Sequence, residues 1–83
     1  MSASTFDEVR SIASDIMGVP AARLIAESSP ETVESWDSVQ HLNLALALEE
    51  KFGLQLSPEE IEQMKTLGAT AAMIESKLRS TPR

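Results

Sequence analysis

Between Asp37 and His41 the chain places a carboxylate, the hydroxyl of Ser38 and an imidazole, inside the segment ESWDSVQHLNLALALEEKFG. Ser38 and His41 stand three residues apart, so on a helix they share a face, as a nucleophile and a base do, and Asp37 is near enough to orient the imidazole. Acyl-transfer catalysis also wants an oxyanion hole and a cleft that excludes water, and a hydroxyl on an open first turn has neither. His41 fits better as a partly buried residue at the edge of the core, which leaves the exposed Ser38 hydroxyl without a purpose. No glycine-rich phosphate loop, calcium loop or paired-acid cleft is visible. The chain has no cysteine and one histidine, so a disulfide framework and a thiolate metal site are ruled out and no metal centre is expected.

Four helical segments position these residues. The first runs from about Phe6 to Met17, with Phe6, Val9, Ala13 and Ile16 on one face, Thr5 and Glu8 as a capping box, and Gly18 and Pro20 as the stop. Residues 19–36 hold no sustained period, and a connection of this length is expected to be an ordered loop pinned by Leu24, Ile25 and Val33, with one short helical turn. Asp37 caps the second helix and Gln40 answers it, which makes Ser38 the first helical residue. His41, Leu44, Ala45, Leu48 and Phe52 then form a core stripe, while Val39, Leu42 and Leu46 form another well round the helix. A helix of a small bundle needs one apolar face, so the second marks an interaction surface, flanked by Asn43, Glu49 and Glu50. "LSPEEIEQM" opens a short third helix, with Ser57 as N-cap, Pro58 first and Glu60 closing the box, ending near Met64. The fourth runs from about Leu67 to Arg79, with Leu67, Ala71, Ile74 and Leu78 as its apolar stripe and Lys77 and Arg79 in its basic last turn.

Composition narrows the function classes. The 83 residues, 42% of them hydrophobic, suit one small domain over 1–83 with its core at about 5–79. No segment approaches a membrane span, so the expectation is a cytoplasmic monomer that does not insert into membranes. Nine of the 13 acids lie between residues 24 and 64 against Lys51 alone, so that segment carries −8 and the remainder +2. Such a centre repels phosphate backbones and attracts lysine- and arginine-lined proteins, which excludes nucleic acid as a partner.

The stretch "WDSVQHLNLALALEEKFGLQLSPEEI" resembles the central motif of acyl carrier proteins, whose Asp-Ser-Leu box carries 4′-phosphopantetheine on the serine. The resemblance spans about residues 5–79 and includes the long loop before the serine, "ALEEKFG" closing the second helix and "IESKL" ending the last. It implies an all-α, four-helix bundle with a long loop between helices one and two and a short third helix. It also implies a non-catalytic carrier: Ser38 holds the arm, Asp37 belongs to the motif, and a separate phosphopantetheinyl transferase supplies the arm from coenzyme A. A protein without cysteine borrows its thiol this way, and an exposed Ser38 is one that another enzyme can reach.

By the same resemblance, acyl groups ride on the arm as thioesters and are presented to acyl-loading ligases and to synthases or acyltransferases with basic docking surfaces. Val39, Leu42, Asn43, Leu46, Glu49 and Glu50 are the expected recognition residues. Val39 stands where the box usually has leucine. Gln40, His41 and Asn43 replace acids common along this helix in fatty-acid carriers, which points to a specialised carrier in a fatty-acid, polyketide or related pathway, and one module filling residues 1–83 leads to the expectation of a free-standing one. A peptidyl or aminoacyl carrier shares the same logic, and an unmodified helix-binding module would use the same acidic apolar face without a covalent arm.

Overall fold

Four helices appear where the apolar periods place them. The computed structural model describes residues 4–80, with α1 at Thr5–Met17, α2 at Ser38–Phe52, α3 at Pro58–Glu62 and α4 at Leu67–Ser80. One 3-10 turn, Ala21–Arg23, interrupts the long connection between α1 and α2. No strand occurs among the described residues. α1 packs against both α2 and α4, so the face bearing Val9, Ala13 and Met17 meets Leu44, Ala45 and Leu48 of α2 and Leu67, Ala71 and Ile74 of α4 in one core.

Helix ends follow local chemistry, with small departures from expectation. Ser4, not Thr5, caps α1: its hydroxyl accepts the Asp7 N–H at 3.1 Å. Both residues are competent caps, and one residue of extra helix satisfies one more backbone group. Gly18 and Gly53 close α1 and α2 in the left-handed conformation, at φ 67° and 65°, where a side chain costs roughly 1 kcal/mol or more. The Ser57–Glu60 capping box forms in both directions. α3 stops at Glu62 rather than Met64, because Met64 turns inward and is buried in the core.

The long connection is ordered by burial and by the start of α4. Leu24, Val33 and Trp36 are buried, whereas Ile25, expected as a third anchor, is exposed. The unpaired N–H groups of α4 are satisfied by this loop: Leu67 N–H donates to the Ser28 carbonyl at 2.9 Å and Gly68 N–H to the Ala26 carbonyl at 2.8 Å. Gly68 permits that approach, since a Cβ there would lie 3.1 Å from both the Cβ and the carbonyl oxygen of Ala26. Leu78, the fourth member of the α4 stripe, is exposed instead of buried.

α3 is too short to be held by its own hydrogen bonds. It is tied to α4 by Lys77, whose Nζ reaches both Glu60 carboxylate oxygens at 3.0 and 2.8 Å. That hydrogen bond, and next the backbone N–H of Ser57, hold the Glu60 carboxyl below the ordinary carboxylate range.

Candidate functional site

The site is built at the N-terminus of α2. Asp37 takes an extended conformation and its Oδ1 accepts the Gln40 N–H at 2.9 Å, while its carbonyl accepts the His41 N–H at 2.8 Å. Only this half of the expected capping box forms, because the Gln40 side chain accepts from Asn43 Nδ2 instead. Ser38 is therefore the first helical residue and is exposed. By helix geometry the N–H groups of Ser38 and Val39 point out of the helix end without intrahelical partners, an environment that favours an anion. A phosphodiester on Ser38 would sit in that field, so the residues present fit a phosphopantetheine arm.

Ser38 stands on the rim of an open groove of about 1090 Å³, lined by Trp36, Asp37, His41 and Leu42 on one side and by Met64, Lys65 and Thr66 on another. Glu27, Glu31 and Glu62 lie along the same groove. Met64, Lys65 and Thr66 are remote from Ser38 along the chain, and no local sequence pattern reports that the α3–α4 connection lines the same groove.

The imidazole of His41 does not serve Ser38. Its Nδ1 accepts the indole N–H of Trp36 at 2.9 Å, and its Nε2 lies 2.8 Å from the Ile61 carbonyl oxygen. Both ring nitrogens are engaged by partners other than the hydroxyl, so the nucleophile-and-base arrangement is not assembled.

The second apolar stripe is present at the surface. Val39, Leu42 and Leu46 are 66%, 55% and 62% exposed, whereas Leu44, Ala45 and Leu48 on the core side are buried. Asn43 and Glu50 are exposed beside them. Glu49 differs: it is half-buried, and its Oε2 accepts the Leu56 N–H at 2.8 Å, so one of its oxygens braces the connection after α2.

Comparison with known proteins agrees with this geometry. The family model described as a phosphopantetheine attachment site matches residues 7–74. An acyl carrier protein of Coprothermobacter proteolyticus is 33% identical over 73 residues, covering 88% of this chain and 89% of the relative. One from Thermosynechococcus vestitus is 31% identical over 72 residues, covering 87% of this chain and 89% of the relative. The solution NMR structure of a holo acyl carrier protein from Nitrosomonas europaea superposes with a TM-score of 0.77 at 32% identity, covering 89% of this chain and 95% of that one. A family model over most of the chain, relatives more than 30% identical and a solved structure of the same fold together show that the chain belongs to the acyl carrier protein family, the carriers of phosphopantetheine.

Proposed function

We propose that Ser38 is the residue that carries the 4′-phosphopantetheine arm, and that the protein holds acyl intermediates on it as thioesters for partner enzymes of a fatty-acid, polyketide or related specialised pathway. The observation behind this reading is the placement of Ser38, an exposed hydroxyl on the first turn of α2 at the rim of a groove, within the family match. The chain is a carrier and not the catalyst; a separate transferase moves the arm from coenzyme A onto the hydroxyl. The exposed Val39, Leu42 and Leu46 stripe, with Asn43, Glu49 and Glu50 along it, is the surface these enzymes grip. Its acidic surroundings suit basic docking surfaces. No helix of the described residues is long and apolar enough to cross a membrane, in keeping with a carrier that works in the cytoplasm.

The test is direct. Incubation with coenzyme A and a broad-specificity phosphopantetheinyl transferase should add the mass of one arm, and Ser38→Ala should gain nothing while keeping its helical circular dichroism. An arm on the Ser38→Ala protein would remove Ser38 from this role. The intact mass of protein purified from its own host would show arm and cargo together.

A further inference from the structure

Trp36 is the chain's one tryptophan. It is 1% exposed and stands immediately before the Asp37–Ser38 pair. Its ring lies beside that of His41, with centroids 6.0 Å apart and planes 24° from parallel. The two hydrogen bonds of His41 define the state of that imidazole. An indole N–H is only a donor and a backbone carbonyl only an acceptor. Nδ1 therefore accepts from Trp36 at 2.9 Å and Nε2–H donates to Ile61 at 2.8 Å, which requires the neutral ring. One side chain so joins the residue preceding the Ser38 turn, the first part of α2 and the last turn of α3.

We propose that neutral His41 is a positioning residue, a latch that holds the turn bearing Ser38, and that protonation of the ring releases it. An imidazolium carries N–H on both nitrogens. It keeps the Ile61 carbonyl as an acceptor but turns a donor toward the donor of Trp36, so the latch opens on the Trp36 side while α2 and α3 stay tied. The charged and titratable groups along the groove that His41 lines are Glu27 and Glu31 from the long loop, Asp37 from the turn, and Glu62 and Lys65 from the end of α3 and its connection to α4. Four carboxylates against one ammonium make the groove negative, which favours the added charge of the imidazolium. The first turn of α2 is then held firmly where His41 is neutral and loosened where it is charged. The consequence for arm transfer takes Ser38 as the anchor, which is the reading given above.

Trp36 itself reports the latch. In the unmodified protein its fluorescence, its indole N–H resonance and the Ser38 amide resonance should change together with those of the His41 ring as the solution is acidified. The latched-to-released ratio should move about two- to twelvefold, the worth of one net hydrogen bond. No arm is needed for this measurement, so a failure of the latch and a failure of Ser38 as anchor are read separately, the latter by mass. His41→Gln presents an acceptor and a donor across one carbon, as the imidazole does, and does not titrate, so its Trp36 and Ser38 signals should be flat over the same acidification. Trp36→Phe keeps a buried ring without the N–H, and its Ser38 amide should lose the pH response. The transferase rate on wild-type protein, divided by that on His41→Gln, should follow the same curve. Trp36 and Ser38 signals that stay fixed while His41 titrates overturn the proposal, as does a full pH response in His41→Gln. If His41→Gln does not fold, a full Ser38 response in Trp36→Phe overturns it equally.

Discussion

Leu46 and Leu48 are two residues apart on α2, yet one is 62% exposed and the other fully buried, so truncating each to alanine separates recognition from stability. Leu48→Ala empties a site in the middle of the core, where such truncations cost about 2–5 kcal/mol. A chain of 83 residues has a total stability of only about 4–12 kcal/mol at the usual per-residue value. At about 4–8 °C per kcal/mol for a domain of this size, Leu48→Ala should melt at least about 8 °C lower, and the variant should be partly unfolded if the loss nears the upper end. Leu46 has only some two-fifths of its surface covered, and full burial of a leucine is worth about 1.5–3 kcal/mol, so its truncation costs at most about 1 kcal/mol. The uncovered three-fifths is what a docking enzyme can remove from water, worth about 1–2 kcal/mol, or about five- to thirtyfold in the kcat/KM of arm transfer. Melting followed by circular dichroism and arm transfer followed by intact mass at limiting substrate measure the two quantities. If Leu46→Ala melts as low as Leu48→Ala, the exposed stripe belongs to the core. If it melts normally and is modified at the wild-type rate, the stripe is not the docking surface.

Three further outcomes follow from named contacts. Asp37→Ala removes the side-chain acceptor of the Gln40 N–H and should destabilise the protein by about 0.5–2 kcal/mol in urea unfolding, with Asp37→Asn recovering most of the loss; an unchanged midpoint in the alanine variant would show that the cap contributes nothing. Gly68→Ala sets a methyl group 3.1 Å from the Ala26 Cβ and carbonyl, so the Ala26 segment must give by a few tenths of an ångström; the hydrogen-exchange protection of the Gly68 amide, which bonds the Ala26 carbonyl, should fall, and an alanine variant of wild-type protection would refute the close approach. The Glu60 carboxyl is held below its ordinary 4.5 by Lys77 and then Ser57, so its contribution is complete above the unfolded-state value and is lost as pH falls through the lower folded-state one. Lys77→Met should therefore have a shallower decline of melting temperature on acidification below about pH 5, and a decline as steep as in the wild type would separate Glu60 stability from Lys77.

Much of the fold is legible locally because helix signals are short-range. Ser57, Pro58 and Glu60 satisfy or remove the free N–H groups of α3 among themselves, and Gly18 and Gly53 supply the left-handed residue that ends α1 and α2. Asp37 reaches only to Gln40, so the cap that makes Ser38 the first helical residue could be read before any tertiary contact was known. Two adjacent competent caps, Ser4 and Thr5, show the limit of such reading at one residue. Periodicity assigns residues to faces but is silent on whether a neighbour covers that face. Val39, Leu42 and Leu46 emerge at the surface as their separate stripe implied, while Leu78, in register with buried Leu67, Ala71 and Ile74, is left exposed near the end of α4.

The residues around Ser38 divide along the same line. The serine, its acid and the apolar stripe lie within one helix and its cap, where spacing along the chain equals spacing in the molecule, and the sequence alone determined them. The groove and the state of His41 come from segments remote in the chain: Met64 and Lys65 line the same groove as Ser38, and the Ile61 carbonyl reaches a ring twenty residues away. The sequence placed Trp36, His41 and Ile61 but could not pair them. Which of several donors and acceptors a buried ring meets is decided by packing, through hydrogen bonds that require contact within about 3 Å; only the tertiary structure supplies that contact.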